Sequence, residues 1–343
     1  MTTALARTAR AVVPDVLRGI AIVAMLLAHA MPAWGSAPGA VKFVVANISD
    51  LASPLFALVM GMSAQLLQAR TPQGRRGILI LQQFARGLVL IALGVWLATW
   101  GTWVAIVLAF LGVLLIVGAP IVLLGSRWVA AVALVVVVVS DPVNAWARQN
   151  LFVPWSPARD LLQWIVLDPT YRVMNLLPFF LLGALLARHG FQRDRVLWVM
   201  LAIAPLAYLA RPLGARMLGW PDDISGSYQD TLHDVGLVFL VYVVVVYLAG
   251  VVTSPWQRII GGVFAVLRAV GQMALSLYVF HIGLLWLWRV AGWNRYPDDP
   301  LLWTLVVVLT LVLGWLWWRF VGTGPVEWLL GAATWRRKPL RAR

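Results

Sequence analysis

The sequence contains no cysteine and a single glutamate, and only 12% of its 343 residues are charged. Without cysteine there is no disulfide, no thiolate metal site and no thiol nucleophile. The scarcity of charge excludes a cytosolic globular enzyme, in which ~25% of residues are charged. With 62% hydrophobic residues, a soluble fold of this size could not hide its apolar surface. A disordered chain needs low hydrophobicity and is excluded as well. The apolar stretches are continuous rather than alternating, which argues against an outer-membrane barrel. There is no H-E-x-x-H pair, no Walker A loop and no dinucleotide fingerprint, and Gly322-Thr323-Gly324 is too short to act as a phosphate loop. No metal is expected. What remains is an all-α, polytopic integral membrane helical bundle, expected as a single domain over 1–343.

A membrane-crossing helix needs ~20 apolar residues. Ten segments qualify, in a range of nine to eleven: near 12–31, 51–68, 78–99, 103–124, 127–141, 172–188, 195–213, 234–253, 266–288 and 300–320. The fifth is short, with an extension toward Trp146 open. The chain after Gly322 can form a short interfacial helix with Glu327 and Trp328. With the N-terminus inside, the inner loops and tails hold 16 basic residues and the outer ones 8, with Arg18, Arg86 and Arg319 inside spans. That two-to-one bias places both termini in the cytoplasm of an inner or plasma membrane. The two longest loops, 142–171 and 214–233, then lie outside, and loops of that length usually carry function. The net charge of +14 fits basic loops against anionic headgroups, so membrane lipids and not nucleic acid are the expected partners. Ala28-His29-Ala30 has the form of a signal-peptide cleavage site, but Asp15 and Arg18 interrupt the apolar run before it.

Charges inside a membrane are costly, so each asks for a reason. The first segment holds Asp15, Arg18 and His29. Asp15 and Arg18 are three apart and can pair on one helix face. Arg18 and His29 are eleven apart, close to three whole turns and a rise of ~16 Å, so both lie on one stripe. Arg18 either snorkels toward the inner headgroups or meets an anionic ligand; His29 either bonds a carbonyl at its helix end or acts as a base. Ser49-Asp50 can cap the second segment, and Asp50 can also orient His29. Gly61 and Ser63 suit close packing. Gln82, Gln83 and Arg86 make the inner half of the third segment polar. In the ninth, Gln272 and Ser276 share a face, and His281 is either packed and bonded or functional. His233-Asp234 caps the eighth segment or belongs to an acceptor site. His189 lies among inner arginines and reads as solvated.

These residues carry a family resemblance. Pro14-Asp15-Val16-Leu17-Arg18-Gly19-Ile20-Ala21-Ile22 resembles the opening of the transmembrane acyltransferase superfamily, which holds the acyltransferase-3, heparan-α-glucosaminide N-acetyltransferase-like and YeiB-like proteins. Arg18, ten residues and then His29 match the Arg-x10-His pattern of the acyltransferase-3 group. Asp50-Leu51-Ala52-Ser53-Pro54-Leu55-Phe56, continuing to Met60-Gly61-Met62-Ser63, is similar to the second helix of the heparan-acetyltransferase-like branch. Gly271 to His281 resembles that branch's late helix, and Gly324-Pro325-Val326-Glu327-Trp328-Leu329-Leu330 resembles a YeiB-like C-terminus. The landmarks run from residue 14 to 330.

The resemblance implies transfer of an acyl group, acetyl above all, from cytoplasmic acyl-CoA to a hydroxyl or amine of an extracytoplasmic glycan or lipid. His29 is then the general base and Asp50 its orienter. Arg18 and Arg86 meet CoA, and His281, Ser276 and His233 face the acceptor. The residues read alone fit this: an inner arginine suits the anionic end of CoA, and an outer imidazole suits a base on a hydroxyl. The rival reading is a transporter or flippase for a lipid-linked or small anionic solute, since intramembrane ionisable groups serve substrate pathways too. No two-half repeat of the kind many transporters have is evident.

Overall fold

A computed structural model describes residues 2–151, 156–219, 225–250, 256–291 and 298–335. The helices are α1 (Thr2–Ala30), α2 (Gly39–Ala69), α3 (Arg76–Ala98), α4 (Leu108–Ile121), α5 (Ser126–Asn150), α6 (Pro157–Leu162), α7 (Val173–His189), α8 (Arg195–Leu218), α9 (Tyr228–Ala249), α10 (Trp256–Gln272), α11 (Ala274–Val290), α12 (Pro300–Phe320) and α13 (Pro325–Ala333). Short 3-10 turns, Met31–Ala33 and Gln73–Arg75, and a π turn, Gln163–Leu167, complete the elements. The described residues contain no strand. Helices are the form an apolar chain takes in lipid, because every backbone donor and acceptor is satisfied within the segment.

Among the described residues, seven helices are long and apolar enough to cross a membrane; α10 and α11 form one further pair bent by 75°, and α4 and α7 are shorter apolar helices. The ten expected segments correspond to these, with corrections at the ends and at one break. The fifth is not short: α5 runs 25 residues, to Asn150. The fourth begins at Leu108 rather than 103, because 101–107 is irregular. The ninth is broken at Met273, so Gln272 and Ser276 do not share a helix. α2 has 31 residues and starts at Gly39. Ser49-Asp50 therefore lies in the helix interior and is not the N-cap of α2. α9 starts at Tyr228, where Ser227 Oγ accepts from the Asp230 amide at 3.3 Å. His233 lies a turn further in and is no cap.

Sharp termini follow from capping chemistry. Asp194 accepts from Val196 N at 3.0 Å at the start of α8, and Asp299 accepts from Leu301 N at 2.8 Å just before Pro300 opens α12. α7 ends at Gly190, whose φ of 89° is the left-handed stop that glycine adopts without strain. Beside it His189 is not simply solvated, since its Nε2 lies 2.8 Å from Asp194 Oδ2.

The chain divides into two compact units: residues 1–56, 95–106 and 247–343, and residues 57–94 and 107–246. In the first, α1 carries the core, with Val16, Leu17, Ala21, Ile22 and Leu26 all at 0% exposure. α10 crosses α1 in backbone contact. A Cβ added at Gly19 would sit 2.0 Å from the Leu267 carbonyl oxygen, and one at Gly271 would sit 2.1 Å from that of Asp15. Small residues permit such approach where hydrophobicity gives helices no preference for each other over lipid. Three contacts give the helix directions. Asp15 meets Gln272, His29 meets His281, and the Ala33 carbonyl accepts from Asp299 N at 2.6 Å. α11 therefore runs parallel to α1, and α12, starting at Pro300, runs back. A second strap joins Ser36 N to Asp298 Oδ1 at 2.6 Å. The backbone and hydroxyl donors of Ser36 hold the Asp298 carboxyl below its ordinary range.

The second unit repeats the small-residue device between α2 and α7. A Cβ at Gly61 would fall 1.7 Å from the Phe180 carbonyl oxygen, and one at Gly183 1.9 Å from that of Leu58. At the C-terminal end of α7, Arg188 gathers Gln65 Oε1 (2.7 Å), Ser126 Oγ (3.1 Å) and the Leu124 carbonyl (2.9 Å). At its N-terminal end, Arg172 is 1% exposed and donates to Asn175 Oδ1 at 3.0 Å and to the carbonyls of Asp168 and Ser225.

Candidate functional site

One pair of groups stands out in the first unit, and α1 builds half of it. The last carbonyls of a helix have no intrahelical donor. At the end of α1 the His29 carbonyl takes one from outside, the Trp103 indole Nε1 at 3.1 Å. Trp103 belongs to the irregular stretch between α3 and α4. That stretch is held against α11 by Arg289, whose Nη1 donates to the Trp100 carbonyl at 2.7 Å, and by Trp286, 5.5 Å from the Trp100 ring. Irregular backbone has amides and carbonyls that need partners outside a helical ladder. These bonds supply some of those partners and fix the helix end carrying His29.

α11 builds the other half. Its first amides lie just past the break at Met273, where no preceding turn supplies acceptors. Glu327, the only glutamate of the chain, fills that need from α13. Its Oε1 accepts from Leu275 N at 2.7 Å and Ser276 N at 3.1 Å, and its Oε2 accepts from the Ser276 hydroxyl. Val326 N in turn donates to Ser276 Oγ at 3.0 Å. Ser276, expected to face the acceptor, is thus engaged in the cap. So held, α11 presents His281 at 0% exposure, with its Nδ1 3.2 Å from the Leu277 carbonyl oxygen and the Tyr278 ring edge-on at 5.2 Å.

His29 Nδ1 and His281 Nε2 are 2.9 Å apart across a sequence distance of 252 residues. The ring centroids are 5.2 Å apart and the ring planes lie 24° from parallel. His29 is partly exposed and His281 wholly enclosed. At the other end of the α1 stripe, Arg18 Nη1 lies 3.2 Å from Asp15 Oδ1. Gln272 Nε2 donates to Asp15 Oδ2 at 3.0 Å, and Gln272 Oε1 accepts from Trp318 Nε1 at 2.9 Å. One face of α1 thus carries a guanidinium near the middle of the helix and, about 16 Å along, an imidazole near its C-terminal end.

The remaining candidates lie elsewhere. Asp50 is half-buried within α2 of the same unit; the group meeting His29 Nδ1 belongs to His281. Arg86 lies on α3 of the second unit, three residues beyond the buried Gln83. His233, also of the second unit, is 6% exposed; its Nδ1 is 3.2 Å from the Tyr208 carbonyl oxygen and its ring is 4.5 Å from that of Tyr208. No metal-binding cluster of three acidic or histidine residues occurs among the described residues. Three parts of the site escaped the sequence reading: the histidine pair, the Glu327 cap and Trp103. A glutamate occurring once, in a short motif after a glycine, was the available signal for the cap.

What the arrangement can do is take up one proton at an imidazole whose second nitrogen is already held. Residues 10–218 match the family described as heparan-alpha-glucosaminide N-acetyltransferase, catalytic. Residues 183–337 match the family described as protein of unknown function (DUF418). No curated protein matches the chain. His29 lies within the first match and His281 within the second. The first covers more than half of the chain, and with it the α1 stripe that carries Arg18 and His29: the protein belongs to the heparan-alpha-glucosaminide N-acetyltransferase catalytic family of transmembrane acyltransferases.

Proposed function

We propose that this multi-pass protein of the inner or plasma membrane transfers an acyl group, acetyl above all, from cytoplasmic acyl-CoA to a hydroxyl or amine of an extracytoplasmic glycan or lipid. The observation that carries the reading is the α1 stripe, with Arg18 and His29 on one face and His29 paired to His281 at 2.9 Å. Family membership supports acetyl transfer as the reaction class. Arg18 is the CoA-side contact, because a guanidinium binds phosphate or carbonyl groups through a fork of donors. The span from Arg18 to His29 is of the order of an extended pantetheine arm, so a thioester tethered at one end reaches the other.

At the far end His29 is the general base. It removes the proton from the acceptor oxygen or nitrogen as that atom bonds to the acyl carbon. The carbon–sulfur bond breaks and the electron pair leaves on the CoA sulfur. The proton held by His29 passes to that thiolate, so acceptor and acyl-CoA become acylated acceptor and CoA. Positioned proton transfer contributes about 10²–10⁴-fold.

The test is direct. Purified protein in detergent is given radiolabelled acetyl-CoA and membrane extract as acceptor, and binding and transfer are measured separately. His29→Ala is expected to lose transfer by about 10²–10⁴-fold with acetyl-CoA affinity nearly unchanged. Full transfer by His29→Ala, or no acetyl-CoA binding by the unaltered protein, overturns the reading.

A further inference from the structure

The two histidines assign each other's protons. A backbone carbonyl can only accept, so the His281 nitrogen facing it must carry hydrogen: Nδ1, 3.2 Å from the Leu277 oxygen, is N–H. Neutral imidazole holds one ring proton, which leaves His281 Nε2 as a bare acceptor. The ring atom 2.9 Å from it is His29 Nδ1, which must therefore donate. His29 then has its hydrogen on Nδ1, and its Nε2 keeps the lone pair.

From this we propose that His281 is a positioning residue. Through the chain Leu277 carbonyl, His281 and His29, it locks His29 in the Nδ1–H tautomer and keeps Nε2 as the one free base. The proposal rests on the reading of His29 as the base and explains which nitrogen acts. The bond also gains strength as His29 becomes imidazolium, because a charged donor makes a shorter and stronger hydrogen bond. An interaction that strengthens as the proton arrives lowers the barrier rather than merely tightening binding. A neutral acceptor suits this place. His281 is 0% exposed, and a carboxylate there would carry the desolvation cost of a buried charge. The site is built for the role: Glu327 fixes the start of α11, the Leu277 carbonyl fixes the ring, and Trp103 fixes the end of α1.

The experiment reads the tautomer itself. Full-length protein labelled with nitrogen-15 in its histidine rings is studied by NMR in lipid or detergent, with His29 signals identified by their loss in His29→Gln. The expected spectrum has a protonated, pyrrole-type Nδ1 and a bare, pyridine-type Nε2 at His29. In His281→Leu the acceptor is gone, and His29 should shift toward Nε2–H, the form free histidine prefers. Turnover in that variant should fall about 10- to 100-fold, the loss typical where the partner that orients a metal-ligating histidine is removed. Its KM for acetyl-CoA should hold. His281→Gln places an amide oxygen near the former Nε2 and should restore both the tautomer and most of the turnover. A wild-type His29 protonated on Nε2 overturns the proposal without any variant, and so do His29 signals unmoved by His281→Leu. Because the spectrum is read without turnover, loss of the base reading through an active His29→Ala would remain a separate result.

Discussion

Asp15 shows how a second partner changes the meaning of a mutation. From the chain alone, removing Arg18 would strand a carboxylate in the membrane, at a cost of about 3–5 kcal/mol for a buried pair. In the folded protein Gln272 also donates to Asp15, at 3.0 Å, and the two charged side chains are 23–27% exposed. Arg18→Ala should therefore leave a folded protein, with a melting temperature in detergent close to that of the parent, and weaken acyl-CoA binding. Arg18→Lys should recover little, since lysine lacks the bidentate fork. Recovery of binding in the double variant Asp15→Asn, Arg18→Gln would mean that arginine serves only its ion pair. A similar comparison ranks the partners of His29. Its Nδ1 is taken by His281, so Asp50→Asn should cost less turnover than His281→Leu in the same transfer assay.

Elements are held by two devices, caps and glycine crossings, and each fails in its own way. The Glu327 cap serves two amides and a hydroxyl at the first turn of α11. Hydrogen bonds to a charged group are worth about 1.5–3 kcal/mol each, and they are not additive. Glu327→Ala should destabilise the protein by about 2–4 kcal/mol, seen as a lower midpoint of unfolding. Its turnover should also fall, because α11 carries His281. Glu327→Gln should do less harm, as one amide oxygen still accepts. Gly271→Val tests the crossing. Its first side-chain atom would meet the Asp15 carbonyl at 2.1 Å, so α1 and α10 must separate. The expected outcome is a large loss of stability that no detergent change repairs, whereas Gly261→Ala, with open space around it, should be tolerated.

At the scale of the whole molecule, one experiment reads the orientation. Reporter fusions after residues 73 and 191 should be active in the cytoplasm, and those after 160 and 225 outside; cytoplasmic activity at 160 or 225 would overturn the orientation. The parallel course of α1 and α11 and the return of α12 fit this alternation within the first unit. The bilayer explains why so much was readable in the chain. A segment that must satisfy its own backbone and present apolar side chains writes its length and position into the sequence, and so the helical class and most segments, Gly61 packing included, were legible. The stripe of Arg18 and His29 was legible because helical phase is local. What tertiary structure alone decided is what lies across a gap in the chain. The break at Met273 moved Gln272 and Ser276 onto different helices, since helix termini are set by partners such as Glu327 and not by hydropathy. The extension of α2 back to Gly39 put Asp50 inside a helix. The partner of His29 is a histidine 252 residues away, and no periodicity carries that information: it comes from the packing of α11 beside α1 and from a hydrogen-bond direction that only the assembled carbonyl of Leu277 imposes.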